Sequence, residues 1–443
     1  MSTSPEVDIE VKVAWWYSRE NILIAWLDRD LRPSGHCLIS LPLRRRPTTH
    51  SIDLATAMKP YIAAPAILAL IYRAWSHKSL TLGGIITAAV TAVAHASHPW
   101  SLPFALLAIF FLVGTRATKV KKDIKATLTI PSKGTSGGEG PRTHVQVLSN
   151  SVVASVLSVL HAYQLHRRSQ TLAGLSTSPD DFCYPWGGDL LIVGIIAHYA
   201  AVTADTLSSE LGILSKSPPR LITSLSFRQV PPGTNGGVSL AGTLAGALGS
   251  AIIALSSTFL IPACTDTNAL GSYVDGVWTL ERRLIFAAAI TLWGFLGSLL
   301  DSILGGLLQR TVKDRRTGKV IEGEGGERVL ILSESTQSVF APIESAVLSG
   351  EAEYAVEHTD ATATAGYKPN KDSRKNRFDA KKRHRRASFG DERPSRIVES
   401  GHDLLDNNQV NLLMAAIMSF GAMAVAGYFW GIPLSTIVPP VIV

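Results

Sequence analysis

Apolar residues along this chain gather into long unbroken runs rather than into alternating or one-faced patterns. Eight such runs stand at about 59–75, 80–97, 99–115, 147–165, 189–207, 239–262, 283–308 and 410–437. Most approach the roughly 20 residues that an α-helix needs to cross a bilayer. The pattern predicts an all-α fold, a polytopic helical membrane protein with about 8 transmembrane helices and a long disordered loop. The first three runs are short and closely spaced, joined by Ser76-His77-Lys78 and by His98-Pro99. They also suit a broken or re-entrant pair.

The runs divide the chain into a polar N-terminal tail over 1–58, a transmembrane core over 59–310, a loop over 311–400, and a final helix with the C-terminus over 401–443. In the tail, Trp15, Trp16 and Trp26 are interleaved with charges, and Arg44, Arg45 and Arg46 follow. No basic segment leads directly into an apolar one there, so the tail does not read as a signal peptide. It reads as solvated, with a short interfacial helix around Val11–Leu27 as a further reading.

Composition agrees with the pattern. The chain is 46% hydrophobic and 17% charged, against about 25% charged in soluble proteins. An ordinary cytosolic enzyme is disfavoured. The three cysteines, Cys37, Cys183 and Cys264, suggest neither metal spacing nor a bridge. The net charge of +7 is resolved by its distribution. Residues 310–400 hold 18 basic and 15 acidic side chains, 33 of the 77 charges in the chain. Such a stretch cannot bury a core. Its run from Lys381 to Arg386 suits anionic lipid or nucleic acid, but reads first as a cytosolic basic loop, and no nucleic-acid partner is expected. The other basic loops, around Arg73 and Lys78, Lys119 to Arg142, and Lys216 to Arg228, fall on the same side as Arg310, which is the cytosolic side by the positive-inside rule. An endomembrane location is expected, with the organelle unassigned.

Ionisable residues inside apolar helices are costly and point to function. Asp205 and Glu210 close the fifth run, and Asp301 lies late in the seventh. Helical spacing puts Asp205 on a face with Ser209, and Thr206 on a face with Glu210. Gly297, Asp301 and Gly305 form a small–acid–small stripe flanked by Ser298 and Ser302. Gly242, Gly246 and Gly249 make another small-residue face. Between these runs, Gly233, Thr234, Asn235, Gly236 and Gly237 form a Gly-rich turn that opens directly into the sixth run. Gly permits close backbone approach, and a helix N-terminus offers free N–H groups. Beside the acids, this turn reads as a phosphate and divalent-cation site. It is not a Walker A loop, because no Lys follows the second glycine pair. Arg142, Gln146 and Asn150 enter the fourth run, and Asn408 and Asn411 open the last. His161 and His198 read as packing residues.

Taken together, Thr118-Lys119, Arg142 with Gln146 and Asn150, the Ala204–Gly212 segment, Pro231–Gly237, Gly297–Ser302 with Gln309, and Asp406–Asn411 resemble a known family. They are similar to the transmembrane protein nineteen family, built on a membrane domain long catalogued as of unknown function. The resemblance covers about 60–310 and 398–437. Leu207 stands where a common family pattern has Trp. The family's best-understood relatives are plant phytyl-phosphate kinases of tocopherol synthesis. The resemblance therefore implies a prenyl- or phytyl-phosphate kinase, transferring phosphate from a nucleotide triphosphate to a lipid monophosphate in the bilayer. On that reading Asp205, Glu210 and Asp301 are the catalytic carboxylates and hold Mg²⁺, a hard cation that prefers oxygen ligands. Lys119, Arg228, the turn from Gly233 to Gly237, Ser302 and Asn411 contact phosphate or substrate. The alternative is a non-enzymatic membrane protein, a transporter or scaffold, using the acids as a cation or proton site.

Overall fold

Runs that are apolar on every face form helices buried in protein or lipid. The computed structural model describes residues 60–132, 140–172, 183–264, 276–329 and 396–437. The tail expected over 1–58 and the basic run Lys381–Arg386 lie outside those residues. Ten α-helices stand among them: α1 Pro60–Ser76, α2 Leu82–Ala96, α3 Leu102–Lys119, α4 Lys122–Leu128, α5 His144–Ser149, α6 Val152–Leu172, α7 Leu190–Gly212, α8 Leu240–Leu260, α9 Leu280–Leu308 and α10 Asn407–Trp430.

The eight longest coincide with the eight apolar runs. Five of them, α3, α7, α8, α9 and α10, are long and apolar enough to cross a membrane. Helices α1 and α2 have 17 and 15 residues. Helix α6 has 21 but turns polar in its second half, at Gln164, His166, Arg167 and Arg168. The outward faces stay apolar: Leu82 is 75% exposed, Phe259 83% and Tyr428 85%. In a multi-pass membrane protein those faces meet lipid.

Helix α7 is the axis of the bundle, with 89% of its apolar window buried. Small residues bring its neighbours close. A Cβ on Gly249 of α8 would lie 2.8 Å from the Thr203 carbonyl oxygen, and one on Gly297 of α9 would lie 2.6 Å from the Ala201 Cβ. These contacts run antiparallel between α7 and α8 and parallel between α7 and α9.

Strands were not expected, yet six short ones stand among the described residues. Residues β1 Ile130–Pro131, β4 Thr311–Asp314, β5 Val320–Glu322 and β6 Arg396–Ser400 form one sheet in the order β1-β5-β4-β6. Strands β1 and β5 pair in parallel and the others antiparallel. A two-stranded ribbon joins β2 Arg220–Leu221 to β3 Gly237–Val238. The loop expected to be disordered over 311–400 thus begins and ends in sheet. Val312, Ile321 and Val329 are buried there against Ile130, so even this charge-rich stretch carries a small apolar face. Residues 330–395 lie outside the described residues.

A second expectation is corrected by Cys183 and Cys264, which form a disulfide across 81 residues. Helices α7 and α8 are antiparallel, so the start of one meets the end of the other. The Tyr184 N–H donates to the Pro262 oxygen at 2.6 Å and the Cys264 N–H to the Tyr184 oxygen at 3.1 Å. Aromatic rings crowd this end, with Trp186 against both Trp278 and Trp430. Aromatic belts mark membrane interfaces.

The buried histidines are held by hydrogen bonds. The Trp100 N–H donates to His98 Nδ1 at 2.9 Å. His98 Nε2 faces His161 Nδ1 at 2.7 Å, and His161 Nε2 faces Asp189 at 2.9 Å. His198 Nε2 donates to the Asn150 oxygen at 2.9 Å. Both His161 and His198 fill the interior, as the sequence suggested.

Candidate functional site

At the end of the bundle opposite the disulfide, the C-termini of α3, α7 and α9 meet the N-termini of α8 and α10. The helix ends and the sheet enclose a cavity of about 700 Å³. Helix ends place unpaired backbone groups and dipoles there, and the charged loops close around it.

Asp205 and Asp301 both line this cavity, and their carboxyl groups are within hydrogen-bonding reach of each other. Their meeting follows from helix geometry. Gly297 packs on Ala201; α7 and α9 run parallel, so one turn later each presents its acid to the other. The Asn411 amide, oriented to satisfy its neighbours, donates to Asp301 Oδ1 and to the Asn407 oxygen, each at 3.2 Å. The Ser302 hydroxyl donates to the Ser298 oxygen at 3.1 Å and borders the same space. Two carboxylates held together repel unless a proton or a cation lies between them.

Glu210 borders the same cavity but is turned away from the pair. Five residues past Asp205 is about 140° around a helix, and Glu210 faces α3 and α4. Lys125 Nζ reaches its Oε2 at 2.5 Å, the Thr118 hydroxyl donates to its Oε1 at 2.7 Å, and Arg142 stands 4.0 Å away. The three acids expected to converge therefore share one cavity wall, as a facing pair and a third acid held in its own ion cluster. No group of three or more His, Cys, Asp or Glu able to hold a metal stands among the described residues.

The Gly-rich turn borders the cavity at Gly233, Thr234, Asn235, Gly236 and Gly237. Gly233 and Gly236 have φ of +86° and +78°, a region that favours glycine. A Cβ on Gly236 would also lie 2.7 Å from the Gly306 Cα, so the turn is pressed onto the glycine stripe of α9. Several of its N–H groups are already bonded: Thr234 to Pro231, Asn235 to the Thr311 hydroxyl, and Gly237 to Thr234. The first turn of α8 is left to supply backbone donors. Ser239 caps it, accepting from the Gly242 N–H at 3.2 Å.

Two expected phosphate contacts are displaced. Lys119 is exposed and outside the cavity lining. Thr118 points inward, and the next residue on a helix turns about 100° away. Lys125 takes the inward position. Arg228 is bound instead to Glu399, with Nη1 to Oε1 at 2.6 Å and Nη2 to its carbonyl oxygen at 2.9 Å. Burial pushes the Glu399 carboxyl up, but hydrogen bonds from Lys313 and Arg228 outweigh it and hold the group below its ordinary value. Cations that do line the cavity are Lys122, Lys125, Arg142, Arg310 and Arg328. Of these, Arg310 pairs with Asp403 at 3.1 Å.

Helix α10 opens with a capping box between Asp406 and Gln409. That frees Asn408 and Asn411 from capping. Asn408 is 6% exposed and donates to the Gly325 oxygen at 2.9 Å.

The model of the integral membrane protein DUF92 family matches residues 65–419. The chain belongs to this family. The DUF92 match thus covers every helix end that borders the cavity. The chain is 38% identical to Protein PGR of Arabidopsis thaliana over 54% of its own length and 75% of the relative's. It is 34% identical to the chloroplastic Protein VTE6 of the same plant, over 36% of its length and 41% of the relative's. An uncharacterized membrane protein of Methanocaldococcus jannaschii is 29% identical over 46% of this chain and 64% of that one. The chain thus spans less than two thirds of the last two relatives. No solved structure matches.

Proposed function

We propose that this DUF92 protein is a phosphotransferase that moves the terminal phosphoryl group of a nucleotide triphosphate onto a membrane lipid monophosphate. The observation that carries the reading is the contact between Asp205 and Asp301 on the wall of a polar cavity that also presents the first turn of α8 and several cations. The plant phytyl-phosphate kinases that the motifs resemble give the lipid its class, a prenyl or phytyl monophosphate.

Phosphoryl transfer depends on positioning and on neutralising charge. A lipid monophosphate is already an anionic nucleophile. One of its oxygens attacks the γ-phosphorus, a new P–O–P bond forms, and the nucleoside diphosphate leaves with the electron pair of the broken bond. No strong base is needed. Two facing carboxylates suit a divalent cation that is completed by waters and phosphate oxygens, and Asp205 and Asp301 would hold Mg²⁺ there. When bound, it would offset the charge of the phosphate oxygens. Asn411 fixes the Asp301 carboxyl from the α10 side. Lys125 and Glu210 brace α4 against α7, and Arg142 and the first turn of α8 face the phosphates. The glycine turn keeps the α9 end close to the α8 start.

The test uses the purified full chain in detergent with γ-labelled nucleotide triphosphate, Mg²⁺ and a set of lipid monophosphates. Labelled lipid diphosphate is expected from wild type, with losses on the order of a hundredfold or more in Asp205→Asn and Asp301→Asn. Wild-type rates in both variants would overturn the reading. Metal-free flux of substrate across proteoliposomes without nucleotide turnover would favour a transporter instead.

A further inference from the structure

A second space adjoins the polar cavity. Helices α1, α2 and α3 leave an apolar groove of about 80 Å³ between them, walled by Ile67, Ile71, Ala88, Ala92, Leu107 and Phe111 among others. Its inner end is formed by Arg142, Gln146 and Asn150, and the same three residues line the polar cavity. The two spaces therefore meet at Arg142.

Arg142 is fixed at that junction. Its backbone N–H donates to the Ser79 oxygen and its oxygen accepts from the Thr81 N–H, each at 3.0 Å, tying it to the turn between α1 and α2. A Cβ on Gly84 would lie 2.6 Å from the Arg142 oxygen, so α2 approaches this residue through a glycine. The guanidinium lies over Gly114 of α3, which has no side chain to displace it. Its Nη2 donates to the Thr118 hydroxyl at 3.1 Å. The guanidinium keeps further donors for a phosphate, which it can meet with two parallel hydrogen bonds.

We infer that this groove holds the hydrocarbon chain of the phosphate-bearing lipid, with Arg142 contacting the headgroup where the groove enters the cavity. The inference rests on the phosphotransferase reading for the lipid's headgroup, and adds where its chain lies and which residues sense its length. A groove sealed at its inner end by apolar residues would suit any bilayer lipid. This one ends on a cation that also lines the polar cavity, and Ile67, Ile71 and Ala88 on its walls are partly exposed, so a chain lies along it with one side toward the bilayer. The small side chains of Ala88 and Ala92 keep its floor open, so bulk at either position shortens the chain that fits.

The test labels the purified full chain with geranylgeranyl monophosphate carrying a diazirine at the far end of its chain, and maps the modified peptides by mass spectrometry. Label is expected within 67–74, 85–92 or 107–111, displaced by unlabelled geranylgeranyl monophosphate and not by phosphatidylcholine. Ala88→Phe is expected to weaken geranylgeranyl monophosphate on the order of tenfold more than geranyl monophosphate, with Ala88→Val intermediate. Label on the outer faces of α8 and α9 would overturn the inference, as would groove label displaced by phosphatidylcholine. Labelling does not require turnover. Groove label without phosphoryl transfer keeps this inference and sinks the phosphotransferase reading. Transfer with label elsewhere does the reverse.

Discussion

Replacing Lys125 with Met removes the partner that the structure gives Glu210. Their nitrogen and oxygen are 2.5 Å apart, and the two side chains are 11% and 14% exposed. Breaking a fully buried pair by deleting one partner costs about 3–5 kcal/mol. The cost here is reduced because the Thr118 hydroxyl still donates to Glu210 at 2.7 Å and Arg142 remains 4.0 Å away. Lys125 also donates to the Ala117 and Thr118 carbonyls at 2.9 and 3.2 Å at the end of α3. Together these give about 2–3 kcal/mol for Lys125→Met. Glu210→Gln leaves Lys125 those two carbonyls and costs less, about 1–2 kcal/mol. The double variant no longer strands a charge, so it is expected to be about 1–2 kcal/mol more stable than the sum of the single changes predicts. The assay is denaturation of the detergent-solubilised chain, followed by far-UV circular dichroism for all four proteins. Additivity within about 0.5 kcal/mol would refute the pairing.

Other consequences are equally open to measurement. Gly297→Ala puts a Cβ 2.6 Å from the Ala201 Cβ and is expected to destabilise by about 1–3 kcal/mol; an unchanged melt would contradict the α7–α9 register that brings the acids together. With Cys183 and Cys264 bridged, a maleimide–polyethylene glycol gel shift in denaturant modifies one of the chain's three cysteines before reduction and all three after it; three shifts without reductant would rule out the bridge. Glu399 has a carboxyl depressed below its ordinary 4.5, so its contribution is present above that value and is lost as pH falls through the lower folded one. Protection of the amides in 311–314 and 396–400, taken relative to intrinsic exchange, is expected to fall as pH drops below about 4.5 more than in the Glu399→Gln variant; an equal fall in both would remove Glu399 as the anchor.

The helices were legible because membrane spans write themselves as local runs of apolar residues. Asp205 and Asp301 were legible for the same reason, since charge stands out against such a background. What the sequence could not show is which way each residue turns and what distant segment meets it. Glu210 follows Asp205 by five positions and faces another helix. Lys119 follows an inward Thr118 and faces out, while Lys125 reaches in from a short helix with no apolar run to announce it. Arg228 is bound to Glu399, which lies 171 residues away. The disulfide and the sheet share that long-range character. Val312 pairs with Val398 across a stretch whose charge density reads as loop.

Binding of Mn²⁺ in place of Mg²⁺, followed by electron paramagnetic resonance on the purified full chain, tests most directly whether Asp205 and Asp301 form a cation-holding pair. Saturable binding is expected in wild type and in Glu210→Gln, and its loss in Asp205→Asn and Asp301→Asn while their circular dichroism stays that of wild type. Undiminished Mn²⁺ binding in both aspartate variants, or its loss in Glu210→Gln alone, would contradict the pair as the centre of the site.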